Sequence, residues 1–146
     1  MEFKNYHKSY YESWFNMLSE LFKDSSADEI RKSLDQTIQS EKEEVFFAVE
    51  NESPVGFITV SLRTEYVEGC TSSPVGYIES VFVQAAFRKG GVAKKLFSLA
   101  EAWAKKQGCR ELGSDTWVWN KDAVAFHLKL GFKEEDTLVH FIKDIP

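Results

Sequence analysis

Apolar positions recur along this chain with a helical period in some stretches and as strand-like runs in others. In residues 6–22, Tyr10, Trp14, Met17, Leu18 and Leu21 fall at helical spacing, which predicts a first amphipathic helix with Phe22 at its end, near a loop. Ser26 and Glu29 have the spacing of a capping box, and Ile30, Leu34 and Ile38 follow on one face. A second helix is therefore expected to run to Gln39. The acidic run Glu41, Glu43, Glu44 leads into VFFAVE, and a turn around Asn51 to Pro54 separates it from VGFITVSLR, so the two read as an antiparallel hairpin.

The segment 64–75 is polar, carries Gly69 and Pro74, and reads as a long loop on a rigid scaffold, a common place for binding residues. Tyr77, Ile78, Val81, Phe82 and Val83 form an apolar strand after it. The strand passes through a basic turn, Arg88, Lys89, Gly90 and Gly91, into a third helix with Val92, Leu96, Leu99, Ala100 and Trp103 on one stripe. Gly108 suits the C-cap, ELGSDTWV reads as a strand, residues 122–130 as a short helix closed by Gly131, and LVHFIKDI as a last strand. No repeat or linker interrupts the pattern, so residues 1–146 are expected to form one domain of the α+β (α/β layered) class.

Composition narrows the setting. The apolar fraction of 43% and aromatic fraction of 14% are those of a folded domain, and 146 residues suffice for one core. No apolar run reaches a membrane span, and the first residues lack a signal-peptide core, so a cytoplasmic protein with no membrane partner is expected. Cys70 and Cys109 are too few for a metal cluster or a disulfide framework and read as free thiols. His7 and His140 have no partners at ligand spacing, so metal chemistry has no support. A formal charge of −5 disfavours a nucleic-acid surface and favours a cationic partner.

The chemistry centres on the strand, turn and helix of residues 76–106. A glycine-bearing turn at a helix N-terminus presents unpaired N–H groups and the positive dipole end, which is a cradle for phosphate. Glu79, inside an otherwise apolar strand, and Asp115, at the end of the next strand, are the candidate carboxylates.

Arg88, Gly91 and Ala93 in FRKGGVAKKL match Arg/Gln-x-x-Gly-x-Gly/Ala, and NKDAVAFHLKLGF looks like a closing Asn, helix and Gly-Phe segment. Together they resemble the GNAT acetyltransferase superfamily. EYVEG at 65–69, SSPVGYIESVFV at 72–83, GCRELGSDT at 108–116 and LGFKEEDTLVHFIK at 130–143 are similar to the aminoglycoside 6'-N-acetyltransferases. The first helix departs from them: Met17-Leu18 and Leu21-Phe22 stand where those enzymes often carry Leu-Arg and Leu-Trp.

The resemblance implies a GNAT fold, a mixed, mostly antiparallel sheet that splays after the central strand, with helices on both faces. It implies acetyl-CoA as co-substrate. The pyrophosphate would lie on the backbone of Arg88, Lys89, Gly90, Gly91, Val92, Ala93 and Lys94, the pantetheine arm along Val81, Phe82 and Val83, and Asn120 against the arm. It implies direct acetyl transfer to a primary amine of a cationic small molecule, the 6'-amine of an aminoglycoside. Glu79 would be the general base, and Phe22, Tyr66, Glu68, Asp115 and Asp136 would belong to the acceptor surface. An ammonium has no lone pair to attack with, so a carboxylate near it can both attract the cation and accept its proton. Glu41, Glu43, Glu65 and Glu68 would add to that acidic cleft. His127 stands where many members have a tyrosine proposed to protonate the leaving thiolate. A homodimer is implied as well. The alternatives are a GNAT enzyme for another amine, such as a polyamine, a metabolite or a protein N-terminus, and a CoA-binding module without catalysis.

Overall fold

The computed structural model describes residues 1–146. The elements are β1 (Glu2–Asn5), α1 (Tyr11–Leu21, entered through a 3-10 turn), α2 (Ala27–Gln39), β2 (Glu43–Glu50), β3 (Ser53–Arg63), β4 (Val75–Val83), α3 (Val92–Lys106), β5 (Leu112–Gly113) and α4 (Lys121–Lys129). The five strands lie in sequence order, antiparallel from β1 to β4, with β5 parallel to β4. The mixed, mostly antiparallel sheet expected from the resemblance is thus present.

Helices cover both faces, because each sheet face carries its own apolar set. Trp14, Leu18, Ile30 and Leu34 of α1 and α2 pack on Val45, Phe47, Phe57 and Phe82, and the Trp14 ring meets Phe47 edge-on at 5.5 Å. Across the sheet, Val92, Leu96, Phe97 and Ala100 of α3 pack on Ile58, Val60 and Ile78. The stripe of α3 lies slightly round from the expected one: Phe97 and Ala104 are buried, where Leu99 and Trp103 were anticipated. In α2, Thr37 is buried and Ile38 is 42% exposed, a swap made possible by Thr37 Oγ1 donating to the Ser33 carbonyl at 3.1 Å. The capping box is complete, with Glu29 N donating to Ser26 Oγ and Ser26 N donating to Glu29 Oε1.

The hairpin turn is Asn51 and Glu52 alone, both at positive φ, which suits the right-handed twist of the strands it joins. Pro54 lies inside β3, opposite Val49 at a register shift, where a missing N–H is tolerated.

One strand was not anticipated, and two expected strands are shortened or absent. Residues Glu2–Asn5 form an edge strand on β2 that the polar pattern EFKN conceals. The strand read over 111–118 shrinks to Leu112–Gly113, because the chain leaves β4 after two paired residues. The last strand, 138–145, does not form. Its residues have a strand-like composition but no neighbour to pair with, and Leu138, Val139, Phe141, Ile142 and Ile145 are 70–93% exposed. No helix is long and apolar enough to cross a membrane.

Candidate active site

Two openings meet on β4. The first is a cleft of about 530 Å3 between α1, α2 and the sheet, lined by Trp14, Phe22, Thr37, Glu43, Thr59, Ser61, Glu79 and Ser80 among others. A bulge sets two consecutive residues of β4 on this cleft. Thr59 pairs with Ser80 and Val60 with Ile78, so Glu79 is the extra residue of β4. Without the extra residue, strict alternation would turn positions 79 and 80 to opposite faces; with it, both line the cleft.

The Glu79 carboxylate is held at both oxygens. Arg63 donates from Nη2 to Oε1 at 2.9 Å and from Nε to Oε2 at 3.0 Å, and Ser61 Oγ donates to Oε2 at 2.5 Å. The Arg63 guanidinium also lies over the Tyr77 ring, 3.5 Å from its centroid. Tyr77 in turn donates its hydroxyl to Asp115 Oδ2 at 2.5 Å. Burial, then the bond to Asp115, pushes the Tyr77 phenol well above its ordinary range, so it stays a neutral donor at working pH. Gly113 permits this arrangement: a Cβ there would lie 2.8 Å from the Tyr77 ring. Glu79 and Asp115, both expected from the sequence, are thereby joined through Arg63 and Tyr77.

Of the other acceptor candidates, Phe22 and Glu43 line the cleft. Glu41, Glu65, Tyr66, Glu68 and Asp136 do not, and Asp136 Oδ1 accepts from the Thr137 N–H at 2.8 Å. Sequence reasoning missed Ser61, Arg63 and Tyr77. A signal was available: Ser61 and Arg63 are two apart at the end of a strand, hence on one face.

The second opening runs along the free side of β4. Only Gly76 and Tyr77 pair with β5, so the backbone edge at Val81, Phe82 and Val83 has no strand beside it. The edge ends at the turn into α3. Gly91 has φ +82°, a conformation that favours glycine, and a Cβ there would meet no atom within 4 Å. Lys95 N donates to Gly91 O, the first helical bond, which leaves the N–H groups of Val92, Ala93 and Lys94 without a carbonyl in their own helix. Open backbone, orphan donors and the helix dipole fit an anion such as a diphosphate. Arg88 turns inward instead, its Nε donating to the Val83 carbonyl at 2.7 Å, so its side chain braces the turn.

Residues 7–132 match the model of the Acetyltransferase (GNAT) family. The chain belongs to the GNAT acetyltransferase family. Among its GNAT relatives, the aminoglycoside N(6')-acetyltransferase type 1 of Salmonella enteritidis is 32% identical over 143 residues, 98% of this chain and 99% of that one. The enzyme of the same name from Stenotrophomonas maltophilia is 39% identical over 116 residues, 79% of this chain and 76% of that one. The solved structure of AAC(6')-Iy in complex with the bisubstrate analog CoA-S-monomethyl-acetylneamine has a TM-score of 0.92 at 31% identity, covering 99% of this chain and 98% of that one.

Side-chain contacts also engage Asn120 and His127. Asn120 caps α4, its Oδ1 accepting from Ala123 N at 3.2 Å. His127 has both ring nitrogens engaged: Nδ1 lies 2.7 Å from the Ala123 carbonyl, and Nε2 lies 2.7 Å from Ser114 Oγ. A carbonyl only accepts, so Nδ1 carries a proton and donates it there, while Nε2 and the Ser114 hydroxyl share the other bond. Direct donation from this ring to a thiolate would require breaking one of these bonds. Cys70 and Cys109 are free, and burial pushes both thiols up, away from the thiolate an acetyl carrier needs.

Proposed function

We propose that this protein transfers the acetyl group of acetyl-CoA to the 6'-amine of aminoglycosides. The carrying observation is that a solved enzyme holding a CoA–aminoglycoside bisubstrate analog shares this fold over 99% of the chain, at a TM-score of 0.92. The geometry agrees: an open β4 edge and a diphosphate cradle lie beside a carboxylate-bearing cleft. Acetyl-CoA supplies the activated acetyl group as a thioester. The backbone of residues 88–94 holds its diphosphate, the edge at Val81, Phe82 and Val83 its amide arm, and Asn120 stands beside the arm.

Glu79 anchors the acceptor ammonium and takes its proton, directly or through a water. Oε1 accepts only from Arg63 and retains a free lone pair for this. The neutral nitrogen then bonds to the acetyl carbon as the carbon–sulfur bond breaks, the new amide nitrogen gives up its extra proton to solvent, and the departing sulfur is protonated from solvent. Asp115 fixes Tyr77 and through it Arg63. Phe22 on the cleft wall offers an apolar face to a sugar ring, and Tyr66 and Asp136 contribute from outside the cleft. Release of free CoA that depends on kanamycin or tobramycin is the expected result. CoA binding without acetylation of any amine would mark a binding module instead.

The dimer is also proposed. Leu138, Val139, Phe141, Ile142 and Ile145 are exposed on the tail, and Trp117, Val118 and Trp119 are exposed just beyond β5. Two apolar surfaces of one chain left uncovered are complementary between two copies, the tail adding as a strand beside the short β5 of its partner. Light scattering should find a dimer for the full chain and a monomer for a chain stopped at Asp136; a full chain that is monomeric at micromolar concentration overturns the pairing. The free thiols and CoA donor suit a reducing compartment, and we place the protein in the cytoplasm.

A further inference from the structure

The acceptor amine must arrive as a cation and react as a neutral base, and a lone carboxylate serves only the first need. An opposite charge a few ångström from an ammonium favours the charged form and raises the amine's pKa, which opposes the proton loss that attack requires. Glu79 is not alone. The Arg63 guanidinium is bonded to both its oxygens, at 2.9 and 3.0 Å, and is held from behind by stacking 3.5 Å from the Tyr77 centroid. Arg63 therefore has a reason to stay in place when an amine takes the remaining lone pair of Oε1. The amine would then sit within a few ångström of a fixed positive charge as well as a negative one.

We infer that Arg63 tunes the proton affinity of the bound acceptor amine, cancelling the field of Glu79 so that the nitrogen is held by a hydrogen bond yet released from its proton near neutral pH. The inference rests on the Glu79 cleft being the acceptor site. The other charges facing that point are Lys42 and Glu43 at the start of β2, and Asp115 behind Tyr77. The residues that α1 and α2 turn to the cleft are uncharged. Glu43 Oε1 lies 3.2 Å from Thr37 Oγ1 on the wall formed with α2, while Glu79 has Arg63 and Ser61 as partners, so the balance at Glu79 is set by Arg63.

The same reasoning predicts a paired change in binding and rate. Arg63→Met keeps an apolar stem against Tyr77 and removes the charge. With kanamycin as acceptor, it should bind the acceptor about fivefold more tightly and slow single-turnover acetyl transfer at pH 7 about tenfold. The rate should recover toward wild type as pH rises, its alkaline-rising limb displaced upward by about one unit. Arg63→Lys keeps the charge but loses the two-pronged bond and the stacking, so its rate should fall as well, while its alkaline-rising limb should lie closer to the wild-type position than that of Arg63→Met. Weaker acceptor binding in Arg63→Met, or a rate loss that higher pH does not repair, overturns the inference and makes Arg63 a mere brace for Glu79. If wild-type protein binds CoA but acetylates neither kanamycin, tobramycin nor a simple primary amine, the acceptor-site reading itself falls. That result is seen before any variant is made.

Discussion

Replacing Glu79 by glutamine is expected to lower kcat for aminoglycoside acetylation by roughly 10²-fold or more, the usual worth of a positioned proton acceptor, with acetyl-CoA affinity nearly unchanged. The substitution is isosteric, so it tests charge and basicity without opening a cavity. It also removes the counter-ion of Arg63, whose two donors would face an amide in place of a carboxylate. The pair is partly exposed, with side-chain exposures of 41% and 31%, so its loss costs the fold little, at most about 1 kcal/mol. A melting curve close to wild type, together with an unchanged calorimetric Kd for acetyl-CoA, would confine the defect to the acceptor side. An unchanged kcat at saturating acceptor removes Glu79 from the proton-transfer role.

Gly91→Val acts on the other substrate. At φ +82° a side chain is strained, by about 1–2 kcal/mol for the left-handed conformation alone, and more for a β-branched residue. The space a Cβ would enter is open, with no protein atom within 4 Å, and it is the space a diphosphate needs in order to reach the helix N-terminus. The Kd for CoA is therefore expected to rise by tenfold or more, on the order of the strain plus the lost backbone contacts. Gly91→Ala should give a smaller rise, because only the strain and one methyl group are introduced. Binding is read by calorimetry on the protein without acceptor. If Gly91→Val binds CoA as wild type does, the cradle lies elsewhere.

The turn proposed for the donor is local in sequence, which is why its shape was legible. Arg88, Gly91 and Val92 are neighbours, and a strand leading through a glycine turn into an amphipathic helix builds the same cradle wherever it folds. The helices were legible for a similar reason: a capping box and a 3.6-residue stripe are satisfied within one segment, as Ser26 and Glu29 show. Strands were read less well. The polar β1 exists because β2 offers it a partner, and the apolar 138–145 remains unpaired because no strand of its own chain lies beside it.

By itself, then, the sequence determined the helices, the hairpin, the glycine turn at the N-terminus of α3 and the presence of a carboxylate in the central strand. Tertiary structure decided where that carboxylate lies and what it touches. The bulge that sets Glu79 and Ser80 side by side on the cleft is a mismatch of register between β3 and β4, and neither strand contains it alone. The partnership of Glu79 with Arg63, and of Tyr77 with Asp115, joins residues 16 and 38 positions apart. Charges so placed affect one another only once the sheet has brought them within a few ångström, because their interaction falls with distance and is screened by water until then.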